Sequence, residues 1–312
     1  MEKNFSHKNI LDAIGNTPIV KINNFHTNND VSIYGKLEGN NPTGSIKDRI
    51  ALKMIEQAEH ENQLVKGKVI IEPTSGNTGI GIAMIGAMKG YEVEIVMSKA
   101  VSIERRKMIQ AFGAKITLTD KTLGTDGAIL KARELVKKNP DKYFMPDQFS
   151  NHYNKLAHYK TTAEEIWKQT GGKINYFVSS IGTSGTIMGV SKYLKEKNPE
   201  IRIVCAHPVK GHYIQGLKNM EEAIVPAIYD PTLIDETIMV ETEVAFEYAR
   251  NIAKREGILV GMSSGAAMYA AVKIANKISS GIIGVIFPDR GEKYLSTGLF
   301  EIYESLHSED QA

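Results

Sequence analysis

Lys47 is the residue whose position in this sequence most favours covalent chemistry. It lies in the stretch 41–49, NPTGSIKDR, where a turn with a proline and a glycine precedes a predicted helix over 46–60. Cations suit helix C-termini, so the field at a helix N-terminus disfavours the ammonium form of a lysine there. A lysine held as a neutral amine can form a Schiff base. Taken alone, Lys47 could also be an ordinary surface lysine. Its assignment to a site therefore depends on other stretches of the sequence.

A hydroxyl-rich loop, EPTSGNTG at 72–79, lies where a predicted strand ends and a predicted helix begins. In open α/β sheets ligands bind at this crevice. Hydroxyls and backbone N–H groups at a helix N-terminus form a site for an anion of carboxylate size. An ordinary polar turn is the alternative interpretation, although such turns rarely contain so many hydroxyls.

Two further strand-to-helix junctions are rich in glycine and hydroxyl residues, GTSGT at 182–186 and GMSSGAA at 261–267. In the first, glycines let the backbone close round an oxyanion. It lacks the lysine and the spacing of the nucleotide P-loop, so it suits a single phosphate without a metal ion. Taken alone, the second junction is explained by a serine that caps the following helix. With Lys47, these loops provide an amine, a phosphate site, a carboxylate site and a lone hydroxyl, which matches pyridoxal 5'-phosphate carrying an amino acid.

The four motifs NPTGSIKDR, PTSGNTG, GTSGT and GMSSGAA, in this order, resemble the cysteine synthase and cystathionine β-synthase family of pyridoxal-phosphate enzymes. The resemblance covers nearly the whole chain and implies a fold-type-II architecture similar to that of tryptophan synthase β. It implies that Lys47 is the catalytic residue and binds the cofactor as a Schiff base. The other implied cofactor-binding residues are Asn77, Gly182, Thr183, Ser184, Gly185, Thr186 and Ser263. The implied substrate-binding residues are Thr74, Ser75, Gly76, Thr78, Gln148 and Lys218.

The resemblance also implies a role for each group. Asn77 would face the ring hydroxyl of the cofactor, 182–186 would hold its phosphate, and Ser263 would hydrogen-bond the pyridine nitrogen. A serine hydroxyl does not stabilise a protonated pyridinium as an aspartate does, which favours β-elimination over transamination. The implied reaction is β-replacement on an O-activated L-serine. Lys47 takes the α-proton as general base, the leaving group departs, and sulfide adds to give L-cysteine.

Within the family, the C-terminal third is similar to B-type or O-phosphoserine-using cysteine synthases, on the stretches 216–220, 228–231 and 289–298. Relatives that use O-phosphoserine have an arginine where Lys218 stands, and a lysine meets a phosphate only as a point charge. Both O-acetylserine and O-phosphoserine therefore stay open. The stretch 156–166, LAHYKTTAEEI, is more similar to cystathionine β-synthase. A reaction with a larger thiol, or a lanthionine-type replacement that consumes cysteine and releases sulfide, is a further alternative.

The elements that must position these residues are repeated strand–helix units with continuous valine- and isoleucine-rich strands. This pattern predicts an α/β fold of two three-layer α/β/α domains with mostly parallel sheets. We expect residues 1–150 to form the domain with Lys47 and the substrate loop, an early segment of it packing on the other domain. Residues 151–312 form the domain with the phosphate loop. The pattern further predicts one continuous helix over 153–169, a strand over 258–260 and a last helix near 298–306.

Composition indicates a soluble globular protein: 42% of the 312 residues are hydrophobic, 24% are charged, and the net charge is +2. No basic or membrane-binding stretch is visible, so no nucleic-acid or membrane partner is expected. The single cysteine, the polar start and the absence of a long apolar run favour a cytoplasmic protein without a multi-cysteine metal site. The family resemblance implies a homodimer. A non-catalytic phosphate-binding α/β protein is the remote alternative, because glycine-rich turns recur on such folds.

Overall fold

Valine and isoleucine fill the strands of this chain, and most strands are followed by a turn and a helix. The computed structural model describes residues 6–74 and 76–301. In this part of the chain the strands are β1 (Ile19–Ile22), β2 (Val31–Leu37), β3 (Val69–Pro73), β4 (Val93–Ser98), β5 (Lys115–Thr119), β6 (Tyr143–Phe144), β7 (Tyr176–Ser180), β8 (Arg202–Pro208), β9 (Glu236–Val240) and β10 (Gly281–Phe287). The α-helices are α1 (Lys47–His60), α2 (Asn77–Lys89), α3 (Ile103–Ala111), α4 (Gly124–Lys138), α5 (His152–Lys160), α6 (Thr162–Gln169), α7 (Gly185–Lys197), α8 (Thr242–Glu256) and α9 (Met262–Ala275).

The strands form two sheets. The larger has the order β1-β2-β10-β7-β8-β9, and all its pairs are parallel except the β1–β2 hairpin. The smaller has the order β5-β4-β3-β6 and is entirely parallel. Parallel strands end at the same edge of a sheet, so the loops after β3, β7 and β10 lie at carboxyl edges, where ligands of such folds bind.

Helices cover both faces of both sheets. In the larger sheet, α8 and α9 contribute to the apolar core on one face, and α6 and α7 to the core on the other. In the smaller sheet, α1, α2 and α3 cover one face and α4 covers the other. The predicted α/β class with mostly parallel sheets in three-layer units is confirmed. The early strands β1 and β2 lie in the sheet formed mainly by late strands, while the division into two domains near residue 150 stays a prediction.

A buried charged cluster ties α1 to the larger sheet. The guanidinium of Arg49 donates to Glu38 at 2.7 and 2.8 Å and to Glu165 at 2.7 Å on each oxygen. Lys36 Nζ donates to Glu165 Oε2 at 2.6 Å. Because Arg49 lies two residues after Lys47, this cluster fixes the first turn of the helix that carries the amine.

The predicted helix over 153–169 is wrong as one element, because the chain leaves the helical conformation at Thr161 (φ −126°, ψ −73°) and forms α5 and α6 instead. The hydroxyl of Thr161 donates to Ala157 O at 2.8 Å, a local bond that competes with continued helix. The break lets α6 direct Glu165 towards Arg49.

The predicted strand over 258–260 is also wrong. Gly257 turns the chain in a left-handed conformation, and Val260 makes only an isolated bridge with Arg290. The edge strand β9 was not predicted, because its consecutive apolar residues, 238–240, form a run of only three. The last predicted helix, near 298–306, lies mostly outside the described residues.

No helix among residues 6–74 and 76–301 is both long enough and apolar enough to cross a membrane.

Candidate active site

Lys47 begins α1 at the carboxyl edge of the larger sheet. The backbone N–H of Ile46 donates to Pro288 O at 2.8 Å, and Ser45 forms an isolated bridge with Asp289. Burial lowers the pKa of the Lys47 amine to about 8, although the nearby Asp289 carboxylate raises it. The sequence suggested the helix N-terminus as the reason for a neutral amine, whereas burial is the larger cause here.

The loop predicted to hold a phosphate, 182–186, connects β7 to α7. Ser184 adopts a left-handed conformation with φ of 66°, and its buried Oγ has no hydrogen-bond partner among the described residues. A Cβ added to Gly182 would lie 2.3 Å from Gly216 O, and one added to Gly185 would lie 1.8 Å from Asn154 Oδ1. The loop therefore accepts no residue larger than glycine at positions 182 and 185. The Ser184 hydroxyl remains available to bind an added group.

Asn77 begins α2, and both ends of its amide are held. Nδ2 donates to Asp289 Oδ2 at 2.6 Å, and Oδ1 accepts from Lys293 Nζ at 3.1 Å. Tyr294 OH donates to the same Asp289 oxygen at 2.7 Å. Burial lowers the pKa of Lys293 to about 8, against the charge of Asp289. These contacts fix the orientation of the Asn77 amide.

One cavity brings most of the predicted cofactor-binding residues together. Ser263, at the start of α9, is buried and faces it. Gly185 does not line the cavity in the described structure and lies behind it, against Asn154. The predicted residues on the cavity wall are Lys47, Asn77, Gly182, Thr183, Ser184, Thr186 and Ser263.

A second cavity adjoins the first and also reaches Lys47. Of the predicted substrate-binding residues, Thr78, Gln148 and Lys218 line it. Gly76 and Thr74 do not line either cavity in the described structure, and Gly76 N donates to Thr74 Oγ1 at 3.0 Å. Ser75 lies outside the described residues.

Lys218 lies at the wall of the second cavity and is largely buried. Its Nζ lies 2.7 Å from Asp126 Oδ1, and it also lies 4.8 Å from the centre of the Phe149 ring. Asp126 accepts a second hydrogen bond, from Ile224 N, at 3.1 Å. The charge of Lys218 is therefore balanced within the protein.

Comparison with known proteins gives the family. A family profile described as pyridoxal-phosphate dependent enzyme matches residues 10–289. This chain belongs to the pyridoxal-phosphate dependent enzymes. The predicted family, enzyme class, fold type II and cofactor are thereby confirmed, and the non-catalytic alternative is set aside.

Several relatives of this pyridoxal-phosphate dependent enzyme are similar over nearly their whole length. It is 49% identical over 303 residues to the cysteine synthase of Aquifex aeolicus, which covers 95% of this chain and 93% of that protein. It is 44% identical over 288 residues to cysteine synthase B of Escherichia coli, covering 92% and 94% of the two chains. The crystal structure of a hydrogen sulfide-producing enzyme from Fusobacterium nucleatum matches with a TM-score of 0.88 at 46% identity, over 93% of this chain and 100% of that one.

The residues of the first cavity fit pyridoxal 5'-phosphate. The buried Ser184 hydroxyl has no partner among the described residues, and the glycines at 182 and 185 leave no room for a Cβ. Hydroxyls and backbone N–H groups at the start of α7 suit a phosphate. The Lys47 amine on the same wall suits an aldehyde.

The sequence prediction missed several residues that hold the site in place. They include Asp289 and Lys293, which orient Asn77, and Glu72, which accepts a hydrogen bond from the backbone N–H of Gln148. These residues are charged and buried, which occurs rarely without a partner. A buried strand that ends in a glutamate, as at 69–72, was the available signal for Glu72.

Proposed function

We propose that this enzyme is a cysteine synthase, which converts O-acetyl-L-serine and sulfide into L-cysteine and acetate. The observation that carries the proposal is the position of Lys47. It lies on the walls of two adjoining cavities, one with a phosphate-type loop and one with Thr78 and Gln148, which suit a carboxylate. The relatives named cysteine synthase support the reaction.

Under this proposal, Lys47 Nζ would hold the aldehyde carbon of the cofactor, and 182–186 would hold its phosphate. Asn77 would bind the ring hydroxyl, and Ser263 the ring nitrogen. When bound, the cofactor supplies an electron sink for the charge that develops at the substrate Cα. Once the amino group of the substrate has displaced Lys47 from the cofactor, the free Lys47 amine would accept the proton from that carbon, and its pKa of about 8 suits a base near neutral pH. It returns the proton to the same carbon after sulfide has replaced the acetate group.

The surroundings of Lys218 favour a substrate whose ester group carries no charge. A phosphate ester would have to draw Lys218 away from Asp126, which lies 2.7 Å from its Nζ. Separating such a pair leaves a carboxylate without its cation, which is costly in a partly buried place. An acetyl ester carries no charge, so it does not draw Lys218 away from Asp126. We therefore propose O-acetylserine as the activated substrate in preference to O-phosphoserine.

A second candidate function is the release of sulfide from L-cysteine. The relative from Fusobacterium nucleatum, at 46% identity, is named a hydrogen sulfide-producing enzyme. The same Lys47 chemistry would serve both reactions, because cysteine then takes the place of the activated serine.

Steady-state kinetics test the proposal. O-acetylserine, O-phosphoserine, L-serine and L-cysteine are each compared with sulfide and with homocysteine as the second substrate. We expect the highest kcat/KM for O-acetylserine with sulfide, and Lys47→Ala to bind the amino acid without turnover. A higher kcat/KM for L-cysteine, with sulfide as product, would support the second candidate instead. Normal turnover by Lys47→Ala contradicts the assignment of Lys47.

We also propose that the enzyme is a cytoplasmic homodimer, as its family resemblance implies. Light scattering on the purified protein tests the dimer, since the monomer has a mass of 34.5 kDa. A single species at twice that mass is the expected result.

A further inference from the structure

Glu72 is a fully buried carboxyl group next to the substrate cavity, and the proposed reaction does not use it. It lies in β3, and its exposure is 0%. A buried carboxylate is costly unless hydrogen bonds satisfy its oxygens. The hydrogen-bond partners of Glu72 therefore indicate its role.

Both oxygens of Glu72 bind the backbone of one loop. Oε2 accepts from Asp147 N at 2.9 Å, and Oε1 accepts from Gln148 N at 3.0 Å. Asp147 is in the left-handed region, with φ of 50°. A residue other than glycine stays in that conformation only where its surroundings hold it. The Glu72 carboxylate is a contact that holds it.

The side chain of Gln148 has a defined orientation as a result. Its Oε1 accepts from Thr78 Oγ1 at 2.6 Å, and its Nε2 donates to Pro73 O at 3.1 Å. The Thr78 hydroxyl has only one proton, which this bond uses. The second Nε2 hydrogen of Gln148 then remains as a donor for a ligand in the cavity.

The same loop is joined to the phosphate loop. Asn154 Nδ2 donates to Gln148 O at 2.7 Å and to Thr183 Oγ1 at 3.1 Å. Asn154 is fully buried. A shift of the Gln148 backbone would therefore disturb a wall that both cavities share.

We propose that Glu72 is a positioning residue for the substrate α-carboxylate, because it fixes the 147–148 backbone so that Gln148 directs its amide N–H at that group. This inference rests on the proposed function. It predicts that loss of the Glu72 carboxyl group lowers the affinity for ligands with an α-carboxylate and leaves the affinity for ligands without one unchanged.

Glu94 provides a matched control. It lies in the neighbouring strand β4, is also buried, and accepts hydrogen bonds from Thr117 Oγ1 at 2.7 Å and Tyr143 OH at 2.9 Å. None of the hydrogen bonds of Glu94 in the described structure involves the 147–148 backbone. Glu94→Gln therefore changes a buried carboxylate of the same sheet without changing the clamp on Gln148.

The experiment measures the binding of L-serine and of ethanolamine to the holoenzyme through the absorbance of the cofactor. These two ligands differ only in the α-carboxylate. Glu72→Gln should weaken the binding of L-serine about tenfold, which is the value of one hydrogen bond to a charged group. It should weaken the binding of ethanolamine by less than about twofold. Glu94→Gln should change neither by more than about twofold. Glu72→Asp, which keeps a carboxyl group on a shorter side chain, serves if Glu72→Gln does not fold.

A second comparison tests whether Glu72 acts through Gln148. On a Gln148→Ala background, Glu72→Gln should add almost no further loss of L-serine affinity. Equal weakening of both ligands by Glu72→Gln, or unchanged L-serine binding, overturns the inference. A wild-type holoenzyme whose absorbance does not respond to L-serine would instead contradict the proposed function.

Discussion

The amine of Lys47 combines two features that suit its proposed role, a position in the first turn of a helix and removal from water. Burial lowers its pKa from 10.5 to about 8, against the opposing charge of Asp289. At pH 8 about half of the amine is then neutral, whereas an ordinary lysine is almost wholly charged.

This shift predicts how the protein without cofactor rebinds it. The rate at which added pyridoxal 5'-phosphate becomes attached should rise with pH and level off above about pH 8, because only the neutral amine attacks an aldehyde. Stopped-flow absorbance measures this rate, with a free lysine derivative as control, whose rate should rise to about pH 10. A rate that still rises steeply above pH 9 would show an amine with an ordinary pKa.

At the scale of residues, the sequence predicted those site residues whose type is unusual for their position in the fold. Lys47, Asn77 and Ser263 lie at strand-to-helix junctions, and each lines the first cavity. Lys293 was not predictable, because its partner Asn77 is 216 positions away and only the fold brings them together. Glu72 did have a signal, a glutamate after a run of apolar residues, but its role was not predictable because its partner Gln148 is 76 positions away.

At the scale of elements, the phosphate loop depends on glycines packed against α5. Gly185→Ala would place a Cβ 1.8 Å from Oδ1 of the fully buried Asn154. Overpacking of this kind costs about 1–3 kcal/mol, which corresponds to a cofactor affinity at least about fivefold weaker. The dissociation constant of the cofactor, measured by absorbance, checks this.

Gly298→Ala is the control for that variant. A Cβ at Gly298 would lie no closer than 3.7 Å to another side chain, an ordinary contact. We expect its cofactor affinity to equal that of the wild type. If Gly185→Ala also binds the cofactor with unchanged affinity, the phosphate loop does not depend on the glycine at 185.

The charged cluster around Arg49 should contribute strongly to stability. Glu165 accepts from Arg49 and Lys36, and Glu165→Ala would leave these buried cations without that carboxylate. We expect the free energy of unfolding at pH 7 to fall by about 3–5 kcal/mol. Glu164→Ala, on the same helix, removes only an exposed pair with Lys168 and should cost less than about 1 kcal/mol. Denaturant titration measures both, and equal losses would contradict this difference.

The pKa of Glu165 gives this prediction a pH dependence. Burial alone would raise the pKa, but Arg49 and then Lys36 lower it from 4.5 to about 2. A carboxyl whose pKa is lowered by folding stabilises the protein above its unfolded value, and that contribution is lost as the pH falls through the folded value. The difference between wild type and Glu165→Ala should therefore be full above pH 5 and shrink as the pH falls towards 2.

Elements were predictable where apolar periodicity was strong. The parallel strands and most helices follow from it, whereas the break between α5 and α6 does not. The backbone leaves the helical conformation at Thr161, whose hydroxyl bonds back to Ala157 O, and apolar periodicity cannot show such a break. The edge strand β9 has a run of only three consecutive apolar residues, 238–240, which is too short to distinguish from a loop.

At the scale of the whole molecule, two sheets bring their carboxyl edges to one cleft. Lys47 follows β2 of the larger sheet, Asn77 follows β3 of the smaller one, and the loop 182–186 follows β7 of the larger. The sequence predicted two layered units, but it could not show that β1 and β2 join the later strands. That pairing is set by contacts between β2 and β10, which are far apart in the chain.

Borohydride reduction of the holoenzyme, followed by peptide mass mapping, tests the central claim most directly. The reduced cofactor should be attached to the peptide that contains Lys47 and to no other. Lys36 and Lys293 are internal controls, because burial also lowers their pKa values. Attachment at Lys293, or no attachment at all, would contradict the account.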